Sequence, residues 1–237
     1  MKITFLHHSA FLVELPDCTL LFDWTGEPLP AFDRTLPLYV FASHHHNDHY
    51  TPAIFRLGME GVTYILASCI RLSARRRAEY AIDDAHVIRL SAGKTAEIGD
   101  LTVTTIRSTD AGVAFLVKAG DKTLFHAGDL NWWHWEGEDP GWNRNMEVNF
   151  KRYTEPLRGR CLDLAMLPLD SRLGEDGFRG PKYFLELAEI RRFLPMHQWD
   201  DFAFTQRFLA QYPAFIPLTI PVTAIGQVFD FDVEECR

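Results

Sequence analysis

The sequence predicts a mixed α/β protein forming one domain over residues 1–237, and three observations lead there. Short apolar runs bounded by turn residues are interleaved with helical patterns along the whole chain. Neither a Ser/Gly/Pro-rich linker nor an internal repeat of about 20 to 50 residues divides it. Hydrophobic residues at 47% and charged residues at 24% are those of a globular chain long enough to bury a sizeable core.

Strands are expected at residues 3–6, 11–15 and 19–22, the last two joined by the turn pair Pro16 and Asp17. A loop follows, WTGEPLPAFDRTLP. Residues 38–42 form a continuous apolar run, as in a strand buried on both faces, and end in SHHHNDHY. Residues 51–58 read as a helix with Pro52 in its first turn, and 70–80 as a second, basic helix. After a strand at 86–90, TAEIGDLTVTTIRS pairs two strands across Gly99 and Asp100, and 113–117 with 123–125 repeat the hairpin around Gly120 and Asp121. NWWHWEGEDPGWNRN reads as a long aromatic loop. The last third is expected to hold a strand at 162–167, a helix at 181–193, a short strand entering PMHQW, a helix at 201–212 and a strand at 222–229.

Twenty-four Lys and Arg stand against 32 Asp and Glu, a net charge of −8. That balance argues against broad binding to a phosphate backbone, so the expected partner is a small molecule and not nucleic acid. The one basic run, Arg71, Arg75, Arg76 and Arg77, suits a solvated helix face, with helical spacing bringing Arg71 and Arg75 together. Cys18, Cys69, Cys161 and Cys236 form no CxxC pair and are expected to be reduced thiols. No secretory leader or bilayer-length apolar run is visible, so the chain reads as soluble and cytoplasmic, with no membrane partner.

The chemistry is concentrated in His44-x-His46-x-Asp48-His49, directly after the buried strand. Three imidazoles and a carboxylate on one tight turn are suitable ligands for first-row divalent metals. This segment resembles the H-x-H-x-D-H motif of the metallo-β-lactamase superfamily. Further parts follow in order: Asp23 after TLLF, Asp129 in HAGD and His197 in PMHQW. The opening HHSAFLVEL is similar to the GHSSFLIE segment of the ascorbate phosphate lactonase-like branch, with His8 keeping its histidine.

The resemblance implies a four-layer αββα sandwich and a binuclear, metal-dependent hydrolase. It places His44 and His46 on the first metal, Asp48, His49 and His197 on the second, and Asp129 as the bridge. Asp48 and Asp129 would be the catalytic carboxylates, flanking a hydroxide shared by two divalent ions. Zinc is the first expectation, with manganese or iron as alternatives. The substrate would be a small ester, lactone or phosphoester. The alternatives are a phosphodiesterase or RNA-processing nuclease on the same fold, and a catalytically degenerate metal-binding protein.

One departure stands out. Where the family supplies another histidine, this chain reads RSTDAG, and Asp110 is taken as the replacement ligand, ahead of Ser108 and Thr109. With Asp48, Asp110, Asp129 and one hydroxide opposite two divalent ions, the centre is formally neutral. Around it, Asp23 and His126 are expected to support the ligands. His8, Trp132, Trp133 and Arg172 are expected to bind substrate, although a core plug explains any single Trp and an ion pair with Asp170 explains Arg172 equally well. His45 is expected to point away from its neighbours.

Overall fold

A computed structural model of the chain describes residues 1–230, which form two compact units. The first comprises Met1–Ser91 with the segment that begins at Ile225, and the second begins at Ala92 and runs to Ala224.

The first unit is one mixed sheet. Its strands are β1 (Lys2–His7), β2 (Ala10–Glu14), β3 (Thr19–Phe22), β4 (Leu38–Ala42), β5 (Val62–Ala67) and β6 (Val87–Leu90), with a closing strand Val228–Asp230 beside β1. Neighbours in the sheet follow sequence order: β1 to β3 pair antiparallel and β3 to β6 pair parallel. The residues facing one side of the sheet, Leu12, Leu21, Val40 and Leu66, are fully buried and share a core with Leu6, Tyr50 and Ile54. Each such aliphatic side chain contributes about 1.5–3 kcal/mol of burial.

Two expected helices are shorter here. Residues 51–58 form only a 3-10 turn, Pro52–Arg56, with the Thr51 side chain accepting from Ala53 N. The basic helix α1 (Ala74–Glu79) starts late, because Ser73 is extended (ψ 158°) and its hydroxyl caps Arg76 N at 3.2 Å. Ile70 and Leu72 therefore sit in the core ahead of the helix, and Arg71 does not share a helical face with Arg75. β5 was not foreseen at all.

The second unit carries β7 (Thr95–Ile98), β8 (Leu101–Arg107), β9 (Val113–Ala119), β10 (Lys122–His126), α2 (Pro140–Thr154), β11 (Cys161–Leu162), β12 (Leu164–Pro168), α3 (Arg179–Leu187), β13 (Glu189–Ile190), β14 (Phe193–Met196) and α4 (Ala203–Gln211). Its six-stranded sheet runs β14-β12-β10-β9-β8-β7, antiparallel from β7 to β10 and parallel from β10 to β14. The aromatic loop is corrected, since α2 begins inside it: Asp139 caps Gly141 N and Trp142 N, and Pro140 occupies the first turn. The strand expected at 162–167 breaks at buried Asp163, whose carboxylate accepts from Thr123 N at 2.7 Å. The helix expected at 181–193 ends at Leu187, and Phe193 instead opens β14. Cys18 and Cys69 are reduced thiols, but the expectation of reduced cysteines fails at Cys161, which is disulfide-bonded; Cys236 lies outside the described residues. Among the described residues no helix is long and apolar enough to cross a membrane.

Candidate metal centre

In the first unit, the donors lie on the turn that leaves the C-terminal end of parallel strand β4. The turn closes through His49 N and Tyr50 N, both donating to His46 O (3.1 and 2.9 Å). Its foundation is Asp23, fully buried after β3. Asp23 Oδ1 accepts from Ser43 N at 2.7 Å, and Oδ2 accepts from the Ser43 hydroxyl at 2.6 Å and pairs with His49 Nδ1 at 2.7 Å. The proton positions follow from this network. Ser43 gives its one hydroxyl proton to the carboxylate, so His44 Nδ1, 2.9 Å from Ser43 Oγ, must be the donor there, which leaves His44 Nε2 with a lone pair. The same logic makes His49 Nδ1 a donor and leaves its Nε2 lone pair for a cation.

Two groups of ligand atoms result. His44 Nε2 and His46 Nδ1 are 2.9 Å apart. His8, Asp48 and His49 offer atoms that all lie within 4.8 Å of one another, with His8 Nε2 3.5 Å from Asp48 Oδ2. His8 beside it holds Asp48 well below the usual carboxylate range. His45 is exposed, but its ring does not point clear of its neighbours: it lies 4.9 Å from that of His46. Asp23→Ala would strand the Ser43 and His49 protons in a buried setting. It should cost about 3–5 kcal/mol, read as a lower urea midpoint at unchanged m-value.

In the second unit, Asp129 follows β10 on a tight turn. Gly128 takes a left-handed φ of 51° and its N–H donates to His126 Nδ1 at 3.2 Å, so this contact of His126 shapes the turn that presents Asp129. Asp110 lies on the turn between β8 and β9, and Asp110 and Asp129 offer oxygens within 4.8 Å. Thr109 fastens the two turns: its hydroxyl donates to Asn131 O at 2.6 Å, has Asp129 O at 3.3 Å, and accepts from Asn131 N at 3.0 Å. The Ser108 hydroxyl accepts Asp110 N at 3.2 Å. Both alternative ligands in RSTDAG are thus occupied in shaping the turn that presents Asp110. Asn131 in turn is seated against α3 at Gly180, where any Cβ would collide with its side chain.

His197 follows β14 with its Nε2 3.4 Å from Asp129 Oδ1. Its Nδ1 is held by the fully buried Asp170 carboxylate at 2.9 Å. Asp170 also receives Arg172 Nε (3.0 Å to Oδ1) and Nη2 (2.6 Å to Oδ2), and Trp199 Nε1 at 3.3 Å. Burial pushes the Asp170 carboxyl up, but the hydrogen bonds from His197 and Arg172 outweigh it and bring it down to about 2.

Of the residues expected to meet substrate, Trp133 lies at the donors: its Nε1 donates to Asp129 O at 3.0 Å and its ring meets that of His197 edge-on at 5.6 Å. Trp132 packs instead on Phe150 and Tyr183, with Lys151 over its ring at 4.6 Å. Trp142 is on α2. Arg172 is engaged by Asp170 and lies over Trp199 at 4.3 Å. Sequence reasoning missed Ser43, and Asp170 as the partner of His197. The signal for Asp170 was its position at the end of a buried strand, as for Asp23.

Residues 2–134 match the beta-lactamase superfamily domain. A UPF0173 metal-dependent hydrolase of Carboxydothermus hydrogenoformans is 32% identical over 211 residues, covering 83% of this chain and 84% of that one. One from Desulforamulus reducens is 28% identical over 218 residues with the same coverage. The chain therefore belongs to the metallo-β-lactamase superfamily, and within it to the UPF0173 metal-dependent hydrolase family. Igni18, a metallo hydrolase from Ignicoccus hospitalis, superposes with a TM-score of 0.63 over 98% of this chain and 99% of that chain at 17% identity. The fold, two mixed sheets flanked by helices, is that of the metallo-β-lactamases.

Proposed function

We propose that this metal-dependent hydrolase cleaves a small ester, lactone or phosphoester at a binuclear centre. In this reading His44, His46 and Asp110 hold one ion, Asp48, His49 and His197 hold the other, and Asp129 bridges them. One observation carries it: His44, His49 and His197 each have Nδ1 tied to Ser43, Asp23 or Asp170, so each presents Nε2 as a neutral imidazole donor. Histidines in a merely structural network have no need of that common orientation. The all-N/O donor set suits zinc, and also manganese or iron.

When bound, the ions supply a water of lowered pKa and polarise the scissile group. The protein's own groups do the positioning. Asp23 fixes the His49 imidazole and Asp170 that of His197, each accepting the Nδ1 proton and making Nε2 a stronger donor. His8 orients Asp48 at the edge of the donor group and is placed to contact substrate. Trp133 covers one side of His197 and keeps water off it. Arg172 spends Nε and Nη2 on Asp170, which leaves Nη1 for an anionic substrate group. The likeness of HHSAFLVEL to the lactonase-like branch supports a lactone or a phosphorylated ester within this class.

The test is metal analysis of protein purified without chelator, with assays on para-nitrophenyl acetate, a simple lactone and bis-para-nitrophenyl phosphate. Two ions per chain, turnover in one arm, loss on chelation and recovery with zinc or manganese are expected. Full activity in metal-free protein would end the reading. Cleavage of structured RNA that collapses at modest salt would shift it to the nuclease alternative.

A further inference from the structure

The residues that alternate with the donors, His45 and Asn47, line a separate cavity of about 550 Å³ within the first unit. It lies where β4 and β5 end side by side. Loops beyond the carboxyl ends of parallel strands are the usual place for a ligand in an open α/β sheet. The volume is in the range of small-molecule sites.

Its lining has an unusual charge. Arg71 and Arg76 both face the cavity and no carboxylate lines it, in a chain whose net charge is −8. Neighbouring arginines are engaged: Arg77 pairs with Asp84, Arg56 lies over Tyr80 at 4.2 Å, and Arg89 donates to Ser68 O at 2.5 Å. Arg71 and Arg76 make no ion pair among the described residues, and both are exposed. The second observation is Tyr50. It is only 5% exposed and lines the cavity, and its buried hydroxyl has no hydrogen-bond partner of ordinary geometry. The Arg76 guanidinium is the charged group beside it. A buried phenol beside a poorly aligned guanidinium still has its own proton to give to a ligand oxygen.

We propose that this cavity binds the phosphate monoester group of a small organic molecule, with Arg71 and Arg76 matching its two negative charges and the Tyr50 and Ser68 hydroxyls available to its oxygens. Guanidinium groups suit a phosphate through paired N–H donors, and two of them match a dianion better than a carboxylate. His45 forms part of the wall and its ring lies 4.9 Å from that of His46, so the bound phosphate borders the metal donors without using them. The proposal rests on residues 45–76 alone and is independent of the metal reading.

Phenylphosphonate, whose P–C bond resists hydrolysis, is the probe. It is titrated calorimetrically into the full chain as wild type, R71Q/R76Q, R75Q and H46A. Cys69, a half-buried thiol in the same wall, gives a local readout through its rate of alkylation by iodoacetamide, mapped by mass spectrometry. Binding should weaken at least tenfold in R71Q/R76Q and stay unchanged in R75Q, whose arginine does not line the cavity. Phenylphosphonate should slow Cys69 alkylation severalfold in wild type and in H46A, and not in R71Q/R76Q. Because both arginines are exposed, the double variant should keep the wild-type near-ultraviolet circular dichroism. Unchanged affinity in R71Q/R76Q overturns the proposal, as does absence of binding to wild type. Binding lost in H46A but kept in R71Q/R76Q assigns the phosphonate to the metal donors and overturns it equally. If H46A loses metal and activity while Cys69 protection persists, the metal reading and the phosphate pocket both stand; protection without any metal in wild type would sink the first and keep the second.

Discussion

His46→Ala is expected to lower bound metal and to cut kcat/KM by roughly 10²–10³-fold or more, the scale of losing one preorganised transition-state contact. The reason is local. On the proposed ligand set, His44 Nε2 and His46 Nδ1, 2.9 Å apart, are the two imidazole nitrogens given to one ion, and removal of either would leave a single nitrogen. His46 is outside the core, so folding stability should change by no more than about 0.5 kcal/mol. That contrast separates it from Asp23→Ala, which should lose stability and metal together. Metal content by mass spectrometry, activity and a urea melt on the same preparation give all three readings. Retention of two metals and full activity would remove His46 from the ligand set.

Asp110 is the second. On the proposed ligand set, Asp110→Ala should weaken one ion selectively, by about 10–100-fold or more in affinity, while Asp48, His49 and His197 retain the other. Asp110→His raises the formal charge of the centre by one. Tighter zinc binding should follow, together with an activity rise that begins at lower pH, because added positive charge favours the deprotonated form of any acid held there. Metal titrations and pH-rate profiles of the three proteins test this. Unchanged affinity for both ions in Asp110→Ala would exclude Asp110, and neither Ser108 nor Thr109 stands ready to replace it, since both hydroxyls already hold backbone groups.

Strands with strong alternation or full burial were legible in the sequence, including Thr19–Phe22 and Leu38–Ala42 at their exact ends. The donor turn was legible because its ligands are nearly contiguous. What was not legible depends on partners distant in sequence. β5 is the exception, since VTYILA carries strong strand propensity and was overlooked between the two helical readings; β4 and β6 flank it in parallel. The late start of α1 depends on Ile70 and Leu72 being drawn into the core. The partnership of Asp170 with His197 spans strands that the sequence does not show to be neighbours, although register places Pro168 opposite Met196. α2 was missed for a different reason: aromatic density drew attention away from the Asp139-Pro140 start signal that was present.

The left-handed backbone conformations have a consequence beyond geometry. His8 (φ 48°), Asp23 (φ 42°) and His197 (φ 61°) occupy a region that costs a non-glycine residue about 1–2 kcal/mol. Selection for folding alone would fill such positions with glycine or asparagine, and over a native margin of about 5–15 kcal/mol three of them are a visible burden. Histidine and aspartate persist there because the bend aims a side chain that glycine lacks. The same main-chain angles occur at many glycines, so it is the pairing of such an angle with a histidine or an aspartate that marks these corners as places where the molecule tolerates instability for the sake of its work.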